Sequence, residues 1–196
     1  VSVFGVKPVG FVLAGGASRR FGRDKALVAW GQGTLLEHAL VRLRAVCERV
    51  EVLCGSDPRY EGCGARTRTD VVAGAGPLGG LLTGVEAAAG APALFLPLDM
   101  PLLPVGLMGA LVERLPGHDA VVPVTARGPE PVCGLYAHSC AAAMREAIGQ
   151  GRLHATAFWD RVRVRTFGPD EIQRWGDALA LFANVNTPAD LDALLT

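Results

Sequence analysis

Residues 13–25 read Leu-Ala-Gly-Gly-Ala-Ser-Arg-Arg-Phe-Gly-Arg-Asp-Lys, a concentration of glycine and cation directly after a short apolar run. Gly15 and Gly16 carry no Cβ, so their backbone can lie close to a nucleotide and offer its amides. Arg20 and Lys25 bring positive charge to a polyphosphate. Lys25 is one of only two lysines, Lys7 being the other, in a chain rich in arginine. That points to a place where a compact point charge is wanted. The spacing is not that of a Walker loop, because five residues separate Gly16 from Gly22 and Arg23 follows. Nor does it supply the Gly-x-Gly-x-x-Gly of a dinucleotide fingerprint. A plain glycine turn with solvated charges would carry the same residues.

Four further places could do chemistry. Asp99 follows the apolar run 93–98, where a lone carboxylate could hold magnesium, since that ion takes one or two protein carboxylates and completes its octahedron with phosphate oxygens and water. It could equally cap the helix after Pro104. Asp70 is a carboxylate at the exit of a short strand. Gly79, in Gly76-Pro-Leu-Gly-Gly80, leaves room for a ligand or for a packed strand. Asn184 and Asn186 carry amides that can donate to an anion or simply cap their own turn.

These residues need elements to position them. Residues 9–13 are too short and too β-rich for a helix, so a buried strand is expected, with the glycine loop leaving its carboxyl end. Thr34-Leu-Leu-Glu37 has the spacing of a capping box and opens a helix expected over 35–47. Strands are expected at 50–54, 66–70, 93–98, 119–124 and 162–167, and 130–136 reads as extended. Helices are expected at 76–89, 107–115 and 139–149. Pro97 weakens the fourth strand locally, because proline cannot donate to a ladder. Arginines at 161, 163 and 165 alternate onto one face of what reads as a solvated edge strand. Thr187 should cap a last helix with Pro188 at its first position and Asp190 at its third. Alternation of strand and helix predicts one α/β domain over residues 1–196, with a mostly parallel central sheet covered on both faces. Ligands bind such sheets at the carboxyl ends of their strands.

Half the residues are hydrophobic, and nineteen Lys and Arg balance nineteen Asp and Glu. No nucleic-acid or membrane surface is implied by that balance. No apolar run has the length of a membrane span, and no secretory signal opens the chain, so a cytoplasmic protein is expected. Five cysteines without a Cys-x-x-Cys pair argue against a disulfide framework or a zinc site, and the four scattered histidines carry no metal spacing.

The loop Leu13-Ala-Gly-Gly-Ala-Ser-Arg-Arg-Phe-Gly-Arg-Asp-Lys25 resembles the signature of the molybdenum cofactor guanylyltransferases, the molybdopterin-guanine dinucleotide biosynthesis protein A family, with Phe21 in place of a methionine. Gly-Pro-Leu-x-Gly, Asp-x-Pro at Asp99 and Asn184-Val-Asn-Thr-Pro188 resemble the family in matching order. The resemblance implies a Rossmann-like, three-layer nucleotidyltransferase fold. It implies transfer of GMP from GTP to molybdopterin with release of pyrophosphate, with Mg²⁺ on Asp99. Lys25, Arg20 and Asp99 would be catalytic. Leu13, Ala14, Gly15, Gly16, Lys25, Asp70, Gly79, Asp99, Asn184 and Asn186 would contact nucleotide or cofactor. Transient contact with proteins that mature molybdoenzymes is a further implication. The segment Glu130-Pro-Val-Cys-Gly-Leu-Tyr136 is similar to one that lines the acceptor side. The chain departs from the family where it keeps only Arg152 of a basic turn, and where Leu53-Cys54-Gly55 lacks an asparagine. A cytidylyl enzyme with the same acceptor, a sugar-phosphate nucleotidyltransferase, or a non-catalytic nucleotide and cofactor carrier are the alternatives. Lys25 and Asp99 together favour catalysis, because a carrier can dispense with a metal carboxylate.

Overall fold

A computed structural model describes residues 7–15 and 24–195. The first strand, β1 (Val9–Leu13), is buried except at its last residue. A 3-10 turn over Lys25–Leu27 leads to a small hairpin, β2 (Ala29–Trp30) with β3 (Gly33–Thr34). Helix α1 (Leu35–Arg44) then opens on the predicted capping box: Thr34 Oγ1 accepts from the Glu37 amide and Glu37 Oε2 accepts from the Thr34 amide. It stops three residues short of expectation, because the chain turns tightly and the Val46 and Cys47 amides both donate to Leu43 O.

Strands β4 (Arg49–Leu53) and β5 (Arg66–Arg68) follow, then α2 (Gly76–Ala87), β6 (Ala93–Pro97), α3 (Val105–Glu113) and β7 (Ala120–Thr125). The chain continues through β8 (Gly128–Pro129), β9 (Leu135–Tyr136), α4 (Cys140–Gly149) and β10 (Val164–Phe167). Three short helices close it: α5 (Pro169–Ile172), α6 (Ala178–Leu181) and α7 (Pro188–Leu195).

The main sheet runs β10-β7-β9-β6-β1-β4-β5, with β8 paired to β7. β5, β4, β1 and β6 are mutually parallel, and so are β7 and β10. The sheet is thus mostly parallel, as expected. Its exceptions are β9, which runs antiparallel between β6 and β7, and the short β8, antiparallel to β7. The expected extended segment 130–136 is corrected here: a 3-10 turn occupies Pro131–Cys133 and only two residues join the sheet. Pro97 is accommodated at the last position of β6. Its nitrogen faces the same edge as that of Phe95, which donates to Gly134 O, and β9 does not extend that far.

Alternate residues of the central strands feed two apolar layers. Val12, Leu94 and Leu96 face α1 and α3, while Phe11, Ala93 and Phe95 face α2 and α4. Two glycines let the helices close onto the sheet. A Cβ on Gly10 would lie 2.9 Å from Cys47 Sγ, and one on Gly84 would lie 2.5 Å from the Phe95 ring. The five cysteines are free thiols, four of them buried. No helix among the described residues is long and apolar enough to cross a membrane.

The expected row of arginines on one strand face is also corrected. Arg161 belongs to a 3-10 turn, Arg163 precedes β10, and the three pair with Glu146, Asp119 and Glu171 respectively.

Candidate active site

After β5 the chain crosses the sheet and enters β6 on the far side of β1, which makes the β1/β6 boundary the switch point where a crevice opens beyond the strands' carboxyl ends. Leu13 ends β1 there, and its carbonyl accepts from the Leu98 amide at 3.3 Å. The Ala14 amide donates across to Leu53 O at 2.9 Å. Gly15 then presses directly on Gly55. A Cβ on Gly15 would stand 2.7 Å from Gly55 N, and Gly55 itself holds φ +74°. Both positions therefore require glycine. The missing asparagine at the end of the second strand has this counterpart: Gly55 gives the loop backbone its place and accepts the Asp70 amide at 2.7 Å through its carbonyl.

Asp70 lies beside the first turn of α2. A Cβ on Gly79 would be 3.8 Å from Asp70 Oδ2, and one on Gly80 would be 3.9 Å from Oδ1 and 3.2 Å from Leu13 Cδ2. Asp70 thus lies beside Gly79 and Gly80, and Leu13 lies against Gly80. The Asp70 carboxylate receives no hydrogen bond among the described residues, and partial burial raises its pKa above the usual carboxylate value.

Lys25 enters from the other side. Its Nζ stands 3.9 Å from Asp99 Oδ2. Burial lowers the lysine pKa, while Asp99 and Asp190 oppose the shift. The preceding residue is an anchor. Asp24 Oδ1 accepts from the Ala26 amide, and the Asp24 carboxylate accepts the Tyr60 hydroxyl at 2.9 Å, with Arg59 3.9 Å away. Tyr60 adopts φ 64°, rare for a bulky residue. Sequence reading missed Arg59 and Tyr60, because a contact between residues 24 and 60 leaves no periodic mark. Gly16 and Arg20 lie outside the described residues.

Asp99 does not cap a helix. The N-cap of α3 is Pro104, with no side-chain cap. The Asp99 carbonyl accepts the Val185 amide at 2.8 Å, which draws the C-terminal segment against the turn. Asn184 and Asn186 are exposed on either side of buried Val185. Asp190 accepts from the Asn186 and Thr187 amides and its own amide donates to Thr187 Oγ1, so the expected cap of α7 is present. Behind the turn, Pro101 O accepts from Arg42 Nη1 at 2.7 Å and contacts His38 Nε2 at 3.1 Å.

Glu130 is another residue the sequence reading did not single out. It is half-buried near Thr125 Oγ1, close enough to Arg127 and Asp99 to feel both charges, and burial raises its pKa. Arg152, by contrast, donates to Ala157 O and Gln150 Oε1 within its own turn.

The donor set suits a magnesium ion held by substrate. Asp99 offers a hard carboxylate with a third of its side chain exposed and only a loose cationic neighbour, and no group of three His, Cys, Asp or Glu side chains clusters among the described residues. Phosphate oxygens and water would complete the shell. Chemically, the crevice can place a triphosphate between the Gly15 backbone and Lys25, next to a metal-competent carboxylate.

Residues 10–163 match the MobA-like NTP transferase domain. The chain is 33% identical over 188 residues to a probable molybdenum cofactor guanylyltransferase of Chloroflexus aggregans, covering 93% of this chain and 90% of that one. It is 31% identical to the corresponding protein of Pelotomaculum thermopropionicum, over 95% and 91% of the two chains. Among solved structures, molybdopterin-guanine dinucleotide biosynthesis protein A from Archaeoglobus fulgidus superposes with a TM-score of 0.78 at 26% identity, covering 94% of this chain and 95% of that one.

Proposed function

From the premise that this chain belongs to the MobA-like NTP transferase family, we propose that it is a molybdenum cofactor guanylyltransferase, moving GMP from GTP onto the terminal phosphate of molybdopterin or its molybdenum-loaded form. The observation that carries the reading is the Lys25–Asp99 pair at the β1/β6 boundary, at the same carboxyl ends of the parallel strands as the Gly15–Gly55 contact.

An oxygen of the molybdopterin phosphate attacks the α-phosphorus of GTP, a new P–O bond forms, and the bond to the bridging oxygen breaks with pyrophosphate leaving. The attacking monoester is mostly dianionic near neutral pH, its second pKa being about 6, so no general base is required. Alignment and charge neutralisation are the residual tasks. Lys25 faces the phosphates as a point charge, and Asp24, fixed by Tyr60, sets its position. The Leu13–Gly15 backbone and Asp70 border the nucleoside, and Asn184 and Asn186 border the acceptor. Asp99 would hold a magnesium ion, which would supply Lewis acidity toward the substrate phosphates. The reaction requires no membrane or nucleic acid, and we place it in the cytoplasm, with transient hand-over to proteins that mature molybdoenzymes.

The test is pyrophosphate release on mixing the protein with magnesium, molybdopterin and GTP, CTP or UTP in turn. Release with GTP alone is expected. A preference for CTP would make this a cytidylyl enzyme. Tight nucleotide binding without release would make it a carrier.

A further inference from the structure

The turn that carries Asp99 is held from behind by a charge with no counter-charge. Arg42, on the inner side of α1, is 8% exposed, and its Nη1 donates to Pro101 O at 2.7 Å. Its Nη2 is buried and makes no hydrogen bond among the described residues, and no described carboxylate forms an ion pair with it. Burial lowers its pKa to about 10, which still leaves it charged at neutral pH. A lone buried guanidinium is a costly way to satisfy one carbonyl, particularly one that His38 also reaches. An apolar side chain of similar length would serve packing better. Stability therefore does not account for the arginine.

Its surroundings do. Pro101 lies two residues beyond Asp99. The front of the same turn is fixed by Val185 N on Asp99 O, its start by Leu98 N on Leu13 O, and its side by Cys133 Sγ, 3.1 Å from Met100 Sδ. Of the holds on the turn's backbone among the described residues, only the rear one carries charge. We propose that Arg42 is a positioning residue for nucleotidyl transfer: gripping Pro101 O from α1, it fixes the 98–102 turn so that the Asp99 carboxylate faces the crevice. The inference rests on the transferase reading for Asp99. Arg42 itself touches neither substrate.

Arg42→Met and Arg42→Lys test it, each also made in an Asp99→Asn background. Outer residues that orient a metal-binding carboxylate typically contribute about 10- to 100-fold. Arg42→Met should accordingly lower turnover by about tenfold or more and raise the magnesium concentration for half-maximal rate. Its thermal midpoint should stay unchanged or rise, and Arg42→Lys should recover most of the activity. In the Asp99→Asn background Arg42→Met should add less than about twofold, because the two changes act through one group. Hydrogen exchange at the amides of Leu98, Asp99, Met100 and Leu102, read without substrate, should accelerate in Arg42→Met and return with lysine. Normal turnover and magnesium dependence in Arg42→Met, full additivity with Asp99→Asn, or unchanged exchange would each overturn the proposal. If the unmodified protein releases no pyrophosphate, the transferase reading fails instead, and the exchange measurement still decides whether Arg42 holds the turn.

Discussion

Lys25 Nζ and Asp99 Oδ2 face each other at 3.9 Å, too far for a tight hydrogen-bonded pair and near enough that each lies in the other's field. The carboxylate so placed keeps free lone pairs. Asp99→Asn retains the side chain's shape and removes the charge that would fix a cation. Turnover should fall by about a hundredfold or more, at roughly tenfold per 1.36 kcal/mol of lost transition-state stabilisation. The thermal midpoint should hardly move, because Asp99 caps no helix. Turnover and thermal scans on the same preparation check both halves.

Gly15→Ala tests the backbone contact on the nucleotide side. The new Cβ would meet the Gly55 main chain at 2.7 Å, so the two loops must part. GTP affinity should drop by roughly tenfold, equivalent to about 1.4 kcal/mol. Calorimetric titration of GTP reads it directly.

Gly84→Ala tests the fold rather than the site. Its Cβ would stand 2.5 Å from Phe95 Cε1 and 3.1 Å from Phe11 Cδ2, inside the stacked pair those rings form. Overpacking of this kind costs about 1–3 kcal/mol. Urea denaturation should show a lower midpoint with an unchanged slope.

Acid stability should depend on Asp119. Arg163 side-chain and backbone donors, with Ser139, hold its carboxyl down at about 2 against an ordinary 3.8. The folded pKa lies below the unfolded one, so the contribution is complete above about pH 4 and is lost as pH falls toward 2. Asp119→Asn should flatten the fall of the thermal midpoint between pH 5 and roughly pH 2.5.

Much of this was legible from local pattern. The apolar runs of β1 and β6, the Thr34–Glu37 box and the Thr187–Asp190 cap are written in neighbouring residues, and the structure places each within a residue or two of expectation. Local pattern could not choose between capping and crevice for Asp99, since either suits an aspartate at a strand end. It also overextended β9, reading 130–136 as extended where a 3-10 turn leaves only Leu135 and Tyr136 in the sheet, and it missed Tyr60, because its partner Asp24 is distant in sequence. Arg42 left a weak trace: it sits next to the apolar helical positions 39, 43 and 46, where a charge is out of place.

The Asp99 carbonyl waits for the amide of Val185, far along the chain. During synthesis the glycine loop, Lys25 and Asp99 leave the ribosome long before that amide exists, yet a domain folds as a unit. The hold on the Asp99 turn is therefore completed only once Val185, Asn184 and Asn186 have been made. A product halted before Val185 would leave the Asp99 carbonyl without that amide and the turn without its front hold.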